Sequence, residues 1–126
     1  MIKSIITTCL LAFAAAFYHD GGPVVKLNSK NWKEEVMKSD SLWLIEFYAP
    51  WCGHCQKLTP SWEKVARQLK GVVKVGAVDM TTDEEVGRPY DIKGFPTLKW
   101  FGFDKSKPIA YEQARETDDI RNFALT

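Results

Sequence analysis

Two cysteines stand two residues apart in Trp51-Cys52-Gly53-His54-Cys55. A thiolate is the nucleophile of disulfide exchange, and a second thiol one helical turn away can displace whatever the first has captured. The pair follows an apolar run, residues 42–49, and precedes a helical pattern. Cys52 is therefore expected at a helix N-terminus, where unpaired N–H groups and the helix dipole favour a thiolate by about 1 kcal/mol. His54 adds to this when its imidazole is protonated or oriented nearby. Cys55 is expected one turn on, beneath Cys52, placed to attack a mixed disulfide. Gly53 and His54 complete the small ring that the oxidised pair would close. This chemistry needs two thiols and no metal or organic cofactor.

Other uses of the pair fit less well. A structural zinc ion wants four ligands, whereas the chain after its leader offers two cysteines, His54 and a distant His19. His54 lies between the cysteines and cannot easily close the same tetrahedron. Haem attachment requires a histidine directly after the second cysteine, and Gln56 stands there. A purely structural disulfide would close too small a loop to constrain the unfolded chain much.

Glu46 is the only charge in the apolar run, six residues before Cys52. At a strand edge it would face solvent. Buried, a carboxylate has a raised pKa and can exchange a proton with a nearby thiol. Pro96, after Phe95, reads either as an ordinary turn proline or as a cis proline facing the site.

The chain of 126 residues suffices for one domain, and 45% hydrophobic with 26% charged residues is a globular composition. The net charge of +1, with scattered lysines and arginines, gives no sign of nucleic acid or an acidic membrane surface as partner. Three cysteines are too few for a disulfide-stapled scaffold. Residues 1–18 read as a secretory signal peptide: Met1-Ile2-Lys3, an apolar stretch from Ile5 to Phe17, and small residues at Ala12, Ala14 and Ala16. Cleavage is expected between about Ala14 and Tyr18, which removes Cys9 and leaves Cys52 and Cys55 as the only cysteines. The apolar stretch is well short of the roughly 20 residues of a membrane span, so no membrane is expected for the mature form.

The elements that must hold the cysteines follow in order. Residues 24–27 read as a short strand. Asn28 or Ser29 caps a helix carrying Trp32, Val36 and Met37 at helical spacing. The nearly continuous apolar run 42–49 suits a central strand covered on both faces. A helix from Cys52 to about Lys70 follows, with Leu58, Trp62, Val65, Ala66 and Leu69 on one face and a kink expected at Pro60. Residues 72–78 form another buried strand, and Thr81 or Thr82 caps a short helix limited by Gly87 and Pro89. Gly94-Phe95-Pro96-Thr97 turns into a strand over 98–101. Residues 109–111 form an edge strand, and Thr117 caps a final helix over 118–125. The order β-α-β-α-β-α-β-β-α predicts an α/β fold, a central mixed β-sheet with helices on both faces.

The chain resembles the catalytic thioredoxin-fold domain of the protein disulfide isomerase family over residues 23–125. The resemblance rests on the run from Glu46 to Cys55, on Leu58-Thr59-Pro60, Val78-Asp79 and Gly94-Phe95-Pro96-Thr97, and on the run from Arg115 to Ile120. Residues 42–78 are similar to the first catalytic domain of the branch with two tandem catalytic domains. The resemblance implies a thioredoxin domain over 23–126, with Cys52 as nucleophile, Cys55 as resolving thiol and Glu46 as its proton acceptor. It also implies a cis Pro96 beside the disulfide, and Arg115 as an arginine that swings in to stabilise the Cys55 thiolate. Ala77 departs from the pattern, since several members carry there a lysine that pairs with the glutamate. Without it, Glu46 is expected to be less depressed in pKa.

The implied function is formation, reduction and rearrangement of disulfides in folding secretory proteins, with no cofactor. Trp51, Phe95 and Pro96 would contact unfolded or misfolded clients, and an upstream thiol oxidase or glutathione would recycle the pair. The signal peptide places the protein in the lumen of the endoplasmic reticulum. Secretion is the other outcome, because the chain ends in Phe123-Ala124-Leu125-Thr126 rather than a retention tetrapeptide. A thioredoxin-like reductase and a redox-assisted chaperone or adaptor are the alternative readings. His54, where reducing thioredoxins carry proline, favours the oxidising direction.

Overall fold

The computed structural model of the chain describes residues 17–126. Most of the expected signal peptide, residues 1–16, lies outside the described residues. The elements are β1 (Val25–Leu27), α1 (Lys33–Met37), β2 (Trp43–Tyr48), α2 (Gly53–Gln68), β3 (Lys74–Asp79), α3 (Glu84–Gly87), β4 (Thr97–Phe101), β5 (Ile109–Tyr111) and α4 (Thr117–Leu125). A 3-10 turn, Arg88–Tyr90, extends α3. This is the order that the apolar periodicity predicts.

The five strands form one sheet in the order β1-β3-β2-β4-β5. β1, β3 and β2 run parallel, whereas β4 pairs antiparallel with both β2 and β5. β2 is therefore central, and all six of its residues are buried. A strand with a packed layer on each face has no reason to alternate polar and apolar residues. Its side chains still alternate in direction. Trp43, Ile45 and Phe47 join Trp32, Val36, Val86 and Phe101 in one cluster. Leu44 and Tyr48 join Cys55, Leu58, Trp62, Val65 and Ile120 in the other. Glu46, two residues from each of these, is set by the same alternation on the α2 side.

Close approach across the sheet is possible because Gly76 lacks a side chain. A Cβ there would lie 2.6 Å from Leu27 Cδ1 and 3.1 Å from Trp43 Cζ3. The Gly76 carbonyl accepts the buried indole N–H of Trp62 at 3.1 Å, which ties α2 to β3.

Some local expectations are corrected. α1 is a π-helical turn, closed by the Lys38 N–H donating to the Lys33 carbonyl at 2.9 Å. Asn28 does organise the chain ahead of it, its side-chain oxygen accepting the N–H groups of Lys30 and Asn31. Thr117 is the first helical residue of α4 rather than its cap. Glu116 occupies the cap position without a side-chain bond. Neither Thr81 nor Thr82 caps α3. Asp83 takes that position, while Asp79 Oδ1 accepts the N–H of Thr81.

Candidate active site

The active-site loop is made by the end of β2 and the start of α2. Pro50 and the exposed Trp51 separate them, and Gly53 opens the helix. Cys52 is in extended conformation at the N-cap position, and its Sγ accepts the N–H of Cys55 at 3.3 Å. The sulfur thus takes the place that a serine or aspartate oxygen takes in an ordinary cap. Its own S–H donates to the Phe95 carbonyl at 3.4 Å. Both cysteines are free thiols here.

The two thiols are unequal. Cys52 keeps 7% of its surface, whereas Cys55 keeps none. Burial pushes the Cys55 thiol well above the usual cysteine range, with the hydrogen bond to Cys52 and the charge of Glu46 acting in the same direction. His54 is exposed on the first turn of α2. An added Cβ at Gly53 would meet nothing within 4 Å, so packing does not require glycine at that position.

Glu46 is fully buried. Burial pushes its carboxyl up to about 8, against the lowering effects of a hydrogen bond from Tyr18 and of the Arg115 charge. In the sheet register its partner on β3 is Ala77, the position where a lysine was expected to be missed. No cation stands there, and desolvation wins.

Pro96 follows a cis peptide bond from Phe95 and is buried. Phe95 lies edge-on to Trp51, ring centroids 5.8 Å apart, and Trp51 is 72% exposed. Together they put aromatic surface next to Cys52. Arg115 is exposed and lines a cleft of ≈ 270 Å³ with Pro96, Leu98 and Tyr111. It is close enough for its charge to act on Glu46. Cys52, Cys55, Glu46, Trp51, Phe95, Pro96 and Arg115 are therefore gathered at one end of the sheet, and His54 and Gly53 sit on its rim.

One participant was not anticipated from the sequence. Tyr18, at the end of the expected leader, is buried in the domain core, and its hydroxyl donates to Glu46 Oε1 at 2.5 Å. Among the described residues no group of three His, Cys, Asp or Glu side chains is placed to hold a metal ion. No helix among them is long and apolar enough to cross a membrane.

The thioredoxin family profile matches residues 23–126. The chain belongs to the thioredoxin family. Over 122 residues this thioredoxin domain is 48% identical to protein disulfide-isomerase A6 of Mesocricetus auratus, a match that takes 96% of this chain and 28% of the relative. The protein disulfide-isomerase A6 homolog of Caenorhabditis elegans is 46% identical over 125 residues, 99% of this chain and 28% of the relative. Among solved structures, the first thioredoxin domain of mouse protein disulfide-isomerase A4 superposes with a TM-score of 0.72 at 32% identity, covering 82% of this chain and 74% of that one. The domain has the thioredoxin fold, a mixed five-stranded sheet with helices. It is homologous to protein disulfide-isomerase A6 along almost its whole length, and spans a little over a quarter of the curated relatives named here.

Proposed function

We propose that this thioredoxin domain catalyses thiol–disulfide exchange, forming, reducing and rearranging disulfides in cysteine-containing secretory clients in the lumen of the endoplasmic reticulum. The asymmetry of the two thiols carries the reading. Cys52 keeps some exposure beside an aromatic surface, while Cys55 is sealed beneath it over a buried carboxyl. The names of the protein disulfide-isomerase relatives support the same reading.

The reaction runs in two displacements. The Cys52 thiolate attacks a client disulfide, forms a mixed disulfide, and releases one client sulfur as a thiolate. Cys55 then loses its proton to Glu46 and attacks Cys52 Sγ. The second client sulfur leaves as a thiolate, so the client disulfide has taken up two electrons and the Cys52–Cys55 pair is left oxidised as a disulfide. Run backwards, the same steps oxidise a client dithiol. Trp51 and Phe95 offer apolar contact to unfolded chains, and Arg115, across the cleft, favours the Cys55 thiolate. A thiol oxidase or glutathione reoxidises or reduces the pair between turnovers.

Refolding of a scrambled, multiply disulfide-bonded substrate tests the reading. The reduced domain is expected to speed recovery of native activity in a glutathione buffer. Aggregation suppression without any such acceleration would overturn it in favour of an adaptor.

A further inference from the structure

Phe17 and Tyr18 belong to no helix or strand, yet Tyr18 is only 1% exposed. Phe17 stacks on Tyr48 with ring centroids 4.5 Å apart. Tyr18 meets Phe17 and Tyr48 edge-on, at 5.3 and 5.7 Å. Phe17 and Tyr48 thus clamp the phenol at β2 through two edge-on ring contacts. The clamp aims the hydroxyl at Glu46 Oε1. The other carboxyl oxygen, Oε2, is buried and has no hydrogen-bond partner among the described residues.

The surroundings of Glu46 contain little else that could hold it. Its sheet partners are Ala77 on β3 and Leu98 on β4, neither of which ionises or hydrogen-bonds through its side chain. The titratable and charged groups acting on it from the packed elements are Tyr48 on β2, Cys55 at the start of α2, and Arg115 ahead of α4. Among the described residues Tyr18 makes the one hydrogen bond to the Glu46 carboxyl.

We propose that Tyr18 is a positioning residue for the exchange reaction, whose hydroxyl ties down Glu46 Oε1 and leaves Oε2 as the oxygen that takes and returns the Cys55 proton. The proposal rests on the exchange reading above, with the leader cut ahead of Phe17, within the expected range, so that Tyr18 stays on the mature chain. In the resolving step the Cys55 S–H bond breaks and its proton binds Oε2, the Cys55–Cys52 bond forms, and the Cys52–client bond breaks with its electron pair on the client sulfur. The reverse step returns the proton from Oε2 to Cys55. Tyr18 gives up no proton. Burial, then the neighbouring charge of Glu46, push its phenol far above the usual tyrosine range. It is a fixed donor, which favours the ionised carboxyl against the burial that disfavours it.

Tyr18→Phe tests this, because it keeps the ring and removes only the hydroxyl. The rate of Cys55-dependent resolution of a preformed mixed disulfide is measured against pH. Without the donor Glu46 is harder to ionise, so the midpoint is expected about one pH unit higher and the rate at pH 7 about tenfold lower. The first attack by Cys52 is expected to be unchanged. In a Glu46→Gln background, Tyr18→Phe is expected to add nothing. The infrared carboxyl band of Glu46, identified as the band lost in Glu46→Gln, is expected to move in Tyr18→Phe. That readout needs no turnover, so it tests Tyr18 even if the parent proves inactive in exchange, a result that would overturn the proposed function instead. An unmoved pH midpoint and an unmoved band overturn the role of Tyr18. Should Tyr18→Phe fail to fold, 3-fluorotyrosine at position 18, a stronger donor of the same shape, is expected to lower the midpoint. No movement there also overturns it.

Discussion

Cys52→Ser removes exchange, lowering turnover on a disulfide substrate by roughly three orders of magnitude or more, because a serine hydroxyl cannot form the sulfur–sulfur bond of the intermediate. Cys55→Ser has a different signature. Cys52 keeps 7% of its surface and still attacks, but nothing displaces the client from it. The variant therefore accumulates a mixed disulfide stable to gel electrophoresis without reductant. The pair of variants separates the two roles, since a symmetric dithiol would trap clients equally with either cysteine removed. Trapping by Cys52→Ser at the level of Cys55→Ser would contradict the asymmetry on which the proposed mechanism stands.

Glu46→Gln is expected to act on stability and rate with opposite signs. In the parent, the Glu46 carboxyl is raised from its ordinary 4.5 to about 8 by burial. A group whose folded value lies above its unfolded value contributes stability that is full below the unfolded value and is lost as pH rises through the folded one. The parent is thus expected to weaken between about pH 4.5 and pH 8, by on the order of 5 kcal/mol at roughly 1.4 kcal/mol per pH unit. The glutamine variant carries no such charge, so its denaturant midpoint is expected to stay nearly flat over that range and to exceed the parent's at pH 9. Its Cys55-dependent resolution at pH 7 is expected to fall about a hundredfold, the scale of a lost general base. Equal pH slopes in parent and variant would mean that Glu46 does not titrate in this window. Unchanged Cys55 reactivity would remove it from the mechanism.

The legible parts of the fold were those governed by one local rule. The run from Leu42 to Ala49 reads as a central strand because burial on both faces removes alternation, and β2 is buried throughout. The spacing of Leu58, Trp62, Val65 and Ala66 marks the buried face of α2. Cys52 at a helix start follows from the strand before it and the helix after it. Glu46 stands out in sequence because a lone charge in an apolar run is anomalous, although its partner is not visible there.

What stayed hidden depends on contacts across sequence distance. Tyr18 reads as the end of an apolar leader, since Phe17 and Tyr18 continue the run that precedes them. Only the fold brings its hydroxyl to a residue 28 positions away. A signal was present in the aromatic character of the pair, because leader ends favour small residues. The caps at Thr117 and the threonines before α3 failed for another reason. Glu116 and Asp83 hold the cap positions without a side-chain hydrogen bond, so no side-chain cap sets these boundaries, and Asp79 takes the Thr81 N–H in the turn before α3. The π-turn of α1 cannot be separated from an α-helix by the spacing of Trp32 and Val36 alone.

The reduction potential of the Cys52–Cys55 couple tests the central claim most directly. Reference values for these families are about −180 mV for protein disulfide isomerase and about −270 mV for thioredoxin, a gap of roughly 4 kcal/mol. A domain that donates disulfides and rearranges them, with Gly53-His54 between its cysteines, is expected near the first value when equilibrated with glutathione. A potential near the second would make it a reductase and contradict the account.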